Sequence, residues 1–122
     1  MSNPDFQHIR LSMVNDIALV EIMTKDLQGP KLAKELGAEL SQVIHQDWAT
    51  RLLVNFHRNR FLSSSGFAVL FNLVNQIKAS GREVKFCGMV PEIRLGAGVV
   101  GLDKVVGIHE TTDLALEAFS QA

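Results

Sequence analysis

The chain has 122 residues, 47% of them hydrophobic and 20% charged, with a net charge of −1. That is the length of one domain, and the composition excludes a disordered polyelectrolyte. The 12 Lys and Arg are matched by 13 Asp and Glu mixed along the chain, which argues against direct binding of a nucleic-acid backbone.

One cysteine, Cys87, leaves no intrachain disulfide and no sign of an oxidising compartment. Its setting, Lys85-Phe86-Cys87-Gly88, reads as a short buried strand with the thiol as a small core group. The first ten residues, MSNPDFQHIR, carry no apolar targeting segment, and no apolar run approaches the roughly 18 residues of a membrane span. A soluble, cytoplasmic protein is expected.

In chain order, Phe6 to Val14 alternates weakly, as an edge strand does, and Asn15-Asp16 signals a turn. Ile17 to Met23 reads as a nearly two-sided buried strand, so 6–23 is expected to be a hairpin. Leu32, Leu36, Leu40, Val43 and Ile44 recur at helical spacing behind Pro30, predicting a helix near 29–45. Trp48 leads into Leu52–Phe56, short and apolar enough to be a central strand. Phe67, Leu70, Phe71, Val74 and Ile77 make a second helical stripe over 64–79, stopped at Ser80-Gly81. A strand at Val84–Met89, a short helix from Pro91, a strand at Val105–Ile108 and a helix over 111–120 complete the chain. Thr111-Thr112-Asp113 caps that last helix. The order predicts one α/β domain over 1–122, with its core at about 8–120. Its mixed sheet should have four or five strands, packed with about four helices.

Little here supports catalysis. The four histidines, His8, His45, His57 and His109, are scattered without metal-ligand spacing, and each is read as solvated or half-buried. Gly96-Ala97-Gly98 lacks the strand that a dinucleotide turn requires, and no nucleophile elbow or acid–base pair of carboxylates is present. No catalytic residue, metal or cofactor is expected.

The stretch FLSSSG, 61–66, joins the central strand to the second helix. Helix N-termini leave unpaired N–H groups with partial positive charge. A serine hydroxyl can cap them, and a phosphate is welcome there for the same reason. Gly66 is expected to leave the backbone open on the approach side. The preceding loop, His57-Arg58-Asn59-Arg60, reads as a solvated basic crossover whose arginines could instead pair with a partner's acidic groups or hold a phosphate.

The run Phe61 to Leu70 resembles the signature of STAS domains, the sulfate-transporter and anti-sigma-factor-antagonist family, in which a strand leads into Asp, then Ser or Thr, a small residue and Gly, before a helix begins. Asn55 stands where that family often has Asp or Asn at the end of its central strand. Pro91-Glu92-Ile93-Arg94 and Gly101-Leu102-Asp103-Lys104 match the surroundings of its third helix. The likeness runs over about 8–120. It implies that Ser64 is a phosphoacceptor, with Asn55, Arg58, Arg60, Ser63, Ser65, Gly66 and Phe67 forming its surroundings and the partner-binding surface. Two positions depart from the pattern. Ser63 replaces the aspartate, and Gly96 and Gly98 replace bulkier residues, so the third helix is expected to be short or frayed.

The resemblance further implies a non-catalytic regulator that binds a serine kinase or anti-sigma factor and is switched off by phosphate on Ser64, with ATP and magnesium brought only by that partner. The alternative it leaves open is a non-switching scaffold, either stressosome-like or the small cytoplasmic subunit of a lipid ABC transporter.

Overall fold

The computed structural model describes residues 6–120. The reading of the first ten residues as no targeting segment falls in part on 1–5, which lie outside the described residues. A five-stranded sheet holds the molecule together, in the order β1 (Ile9–Val14), β2 (Ile17–Ile22), β4 (Arg51–Asn55), β6 (Glu83–Cys87) and β7 (Gly107–His109). β1 and β2 form the antiparallel hairpin, and the other neighbours pair in parallel. Asn15 and Asp16 both take positive φ, 51° and 65°, as a tight hairpin turn whose twist matches its strands requires. A second, two-stranded sheet pairs β3 (Asp26–Leu27) with β5 (Phe61–Leu62). Two-residue strands leave no periodicity in the sequence, and neither was anticipated.

Helices α1 (Pro30–Ile44), α2 (Ser64–Ala79) and α3 (Pro91–Val99) share the larger core, and α4 (Thr112–Ser120) covers the opposite sheet face. Strand alternation divides the side chains. Ala18, Val20, Leu52, Val54 and Phe86 face the larger core, whereas Ile17, Leu53 and Cys87 face Ala115 and Phe119 of α4. Phe56 and Phe86 meet edge to face, with ring centroids 5.2 Å apart. Leu36, Leu40, Leu70 and Ile77 are almost wholly removed from water, each contributing about 2 kcal/mol of burial.

Three expectations need correction, and a fourth holds in part. β1 begins at Ile9, because the backbone N–H groups of Gln7 and His8 are held by the Glu39 carboxylate of α1, at 2.8 and 2.9 Å. His8 is buried, neither solvated nor half-buried, with Nδ1 2.5 Å from Thr24 Oγ1 and Nε2 3.0 Å from Glu35 Oε1. Val105 and Val106 lie before β7, since both N–H groups fold back to Leu102 O around a 3-10 turn at Leu102–Lys104. α3 is short, as expected, at nine residues, but it runs unbroken through both glycines instead of fraying. Its Gly96 makes room for a ring: a Cβ there would lie 3.3 Å from Phe67 Cζ.

Candidate functional site

Ser63 enters α2 from the small sheet, its N–H donating to Leu27 O at 2.9 Å. It takes an extended conformation (φ −76°, ψ 172°), and its Oγ accepts from Gly66 N at 3.4 Å. Of the three serines, Ser63 is therefore the cap. Ser64 is the first residue of the helix and is exposed, while Ser65 is half-buried. No acidic side chain in this first turn offsets the partial positive charge of the helix start. Gly66 differs from expectation: it is buried, and a Cβ would collide with the Leu62 side chain. Its small size lets α2 close down on the small sheet, so it leaves no opening toward solvent.

Phe67, half-buried, carries the site sideways onto α3. Because Gly96 accepts its ring, the start of α2 and the body of α3 pack against each other. The outer side of α3 is unusually apolar: Leu95 is 72% exposed and Val99 79%. A concavity of about 630 Å³ lies alongside, lined by Met89, Pro91, Arg94, Leu95, Gly98 and Glu110. Arg94 is held to Asp103 at 3.3 Å. Sequence patterning missed Leu95 and Val99, because apolar residues four apart on a helix normally signal a buried stripe.

The remaining candidates lie apart from the serines. Asn55 ends β4, where its Oδ1 accepts from His57 N at 3.1 Å and its Nδ2 donates to Thr112 Oγ1 at 3.5 Å. Gly88 (φ +75°) passes so close to Asn55 Oδ1 that a Cβ would collide with it. Asn55 thus joins the end of the central strand to the start of α4. Arg58 and Arg60 are exposed and line a different concavity, with Met23, Lys25 and His57. Asn59 between them overturns the reading of this loop as solvated: it is fully buried, and its Nδ2 donates to the carbonyls of Thr24, Lys25 and Phe61.

Across the sheet ends, Glu21, Asn55, Cys87 and His109 stand in register on adjacent strands. Burial pushes the Cys87 thiol up, a shift that the Thr112 hydroxyl partly offsets. Burial, with the Lys85 charge nearby, pushes His109 down. A thiol held protonated and an imidazole held neutral make a poor nucleophile and no cation, which suits packing. Among the described residues, no group of three or more His, Cys, Asp or Glu side chains is placed to hold a metal ion. No helix among them is long and apolar enough to cross a membrane.

Several solved structures share this fold. One is Bacillus SpoIIAA in its phosphorylated form, a cell fate determinant, at 20% identity and TM-score 0.67, covering 91% of this chain and 98% of that one. An anti-sigma-factor antagonist (STAS) domain protein from Planctomyces limnophilus gives 15% identity and TM-score 0.79, covering 92% and 97%. RsbS from Moorella thermoacetica gives 15% identity and TM-score 0.77, covering 94% and 97%. The STAS domain family model matches residues 21–115, from the end of β2 into α4. With most of its length matched in this way, the chain belongs to the STAS domain family.

Proposed function

We propose that the protein is a non-catalytic cytoplasmic regulator of the anti-sigma-factor-antagonist kind, which docks on a serine kinase or anti-sigma factor and is released by phosphorylation of Ser64. The observation that carries this reading is the exposed Ser64 at the first position of α2, on a helix end with no acidic side chain. Phe67, in the first turn of the same helix, meets Gly96 of α3, the helix that carries the exposed Leu95 and Val99. Unmodified, the α2 start and α3 together offer a partner an apolar surface with a hydroxyl at its margin. A phosphate would add roughly −1.5 to −2 charges there. The helix end tolerates that anion, so the domain stays folded, while a partner packed over it meets repulsion and a desolvation cost. The phosphorylated state of SpoIIAA, a protein of like fold, supports the same reading.

Incubation with serine kinases of the anti-sigma-factor kind, supplied with ATP and magnesium, provides the test. Mass spectrometry is expected to place phosphate on Ser64. Ser63→Asp is expected to be modified faster, because a carboxylate next to the acceptor gives the kinase a charge to orient. Its repulsion of the phosphate in water is only about 1 kcal/mol. Phosphate on Ser63 or Ser65, or on neither protein, would remove Ser64 as acceptor. The strong exposure of Leu95 and Val99 favours a second reading, a scaffold or transporter subunit with a permanent interface. Equal recovery of the same partner by wild type and Ser64→Glu in a pull-down would favour that reading and sink the switch.

A further inference from the structure

β2 and β4 are parallel neighbours, so the loops that leave them emerge side by side at the carboxyl end of the sheet, where α/β folds commonly hold ligands. The β2 loop contributes Met23 and Lys25, and the β4 loop contributes His57, Arg58 and Arg60. Together they line one open concavity of about 510 Å³. Three permanent cations and an imidazole thus gather in one place on a chain whose net charge is −1. The facing acids are few. Glu21 is shared among three bases: His57 Nε2 at 3.3 Å, Arg10 at 3.7 Å and Arg58 Nε at 3.8 Å. Asp26, exposed, follows Lys25 in the chain. Positive charge remains in surplus.

The frame beneath these side chains is rigid. Asn59 donates to Thr24 O and Lys25 O, both at 3.1 Å, and to Phe61 O at 2.9 Å, tying the β4 loop to the β2 loop. Arg60 N adds a bond to Lys25 O at 2.8 Å. Glu21 approaches Arg58 at Nε, the inner nitrogen of the guanidinium. The charged heads themselves are exposed, and exposed ion pairs of this kind contribute little to stability. A fixed frame that presents cations into an open hollow lowers the ordering cost of binding an anion.

We propose that this concavity binds a small soluble anion bearing a phosphate group. Two guanidinium forks and an ammonium suit the several oxygens and double charge of a phosphate. The volume lies in the range of roughly 300–1,000 Å³ usual for small-molecule sites. The lining offers no Phe or Trp for a base to stack on, and the imidazole is engaged by Glu21, so recognition rests on the oxyanion itself. Met23 is the one apolar side chain in the lining, too little to enter a bilayer, which favours a soluble ligand over a lipid headgroup. The site uses no atom of Ser64 and stands or falls separately from the switch.

Titration of the full chain with pyrophosphate at low salt, read by calorimetry and by amide chemical shifts, tests the proposal. Saturable binding with shifts concentrated at 24–26 and 57–61 is expected. Arg58→Gln combined with Arg60→Gln should weaken it by about tenfold or more, through loss of both forks. The double variant should keep the wild-type thermal midpoint, and Ser64→Ala should bind as wild type. A control pair on the exposed side of α1, Lys31→Gln with Lys34→Gln, removes the same charge elsewhere and should bind within about twofold of wild type. Equal losses in both double variants, or shifts scattered over the surface, would reduce the effect to diffuse charge attraction and overturn the site. Co-sedimentation with phosphatidylglycerol vesicles alongside no response to pyrophosphate would overturn it in favour of a membrane surface.

Discussion

Ser63 and Ser64 are neighbours of the same type with different work to do. Ser63 Oγ satisfies an N–H of the helix start, so Ser63→Ala is expected to cost about 1 kcal/mol in urea denaturation. Ser64 is not the cap, and Ser64→Ala should stay within about 0.5 kcal/mol of wild type. A loss at Ser64 matching that at Ser63 would contradict the assignment. His109 makes a further residue-scale expectation, in pH. Its folded value is lowered from 6.5, so the unfolded chain takes the proton more readily. The stability this neutral imidazole permits is complete above 6.5 and is lost as pH falls toward the lowered folded value. Between about pH 7.5 and about pH 5.5, the thermal midpoint should therefore fall less in His109→Gln than in wild type.

At the scale of elements, α3 shows how a weak local propensity is kept for packing. Gly96 and Gly98 each lower helix propensity by about 1 kcal/mol against Ala. A Cβ at Gly98 would meet Asp103 Oδ2 at 3.5 Å, an ordinary contact, whereas at Gly96 it would crowd the Phe67 ring. Gly98→Ala is expected to raise the thermal midpoint, and Gly96→Ala to raise it less or lower it. In a Phe67→Ala background the two substitutions should become alike; if the difference persists, Phe67 is not its cause. The junction of the two sheets depends on Asn59. Asn59→Ala would remove a buried donor that two N–H groups share among three carbonyls, of which Lys25 O keeps the N–H groups of Arg60 and Phe61, and should cost about 1–3 kcal/mol. Nothing in the residue order signals this, because an Asn between two arginines reads as a solvated turn residue until the chain folds around it.

Over the whole molecule, the sheet has a core on each face, and each core carries a natural probe. Trp48 packs against the larger core, while Cys87 lies in the smaller one beneath α4. If the sheet makes both faces one cooperative unit, Trp48 fluorescence and Cys87 thiol labelling should report the same denaturation midpoint. Labelling at lower denaturant than the fluorescence change would mean that α4 detaches first.

What the sequence determined alone is whatever a local period or turn chemistry encodes. The stripes Leu36–Leu40–Val43 and Leu70–Val74–Ile77 specify their helices, since only one face of each can be buried. Asn15-Asp16 specifies the hairpin, and the buried run Leu52–Val54 specifies the middle of the sheet. The ordered motifs around Ser64 were enough to place the chain in its family. Tertiary structure decided the rest, because it depends on residues distant in the chain. Glu35 and Glu39 draw the segment before β1 onto α1. Phe67 finds Gly96 across two helices, and Leu95 with Val99 turns outward because Ile93 and Ala97 take the core-facing side of α3. The basic hollow forms only when β2 and β4 pair, bringing Lys25 beside Arg58 and Arg60, more than thirty positions away in sequence. Side-chain period carries no information about such meetings, since they are set by where strands end and which carbonyls a buried amide must satisfy.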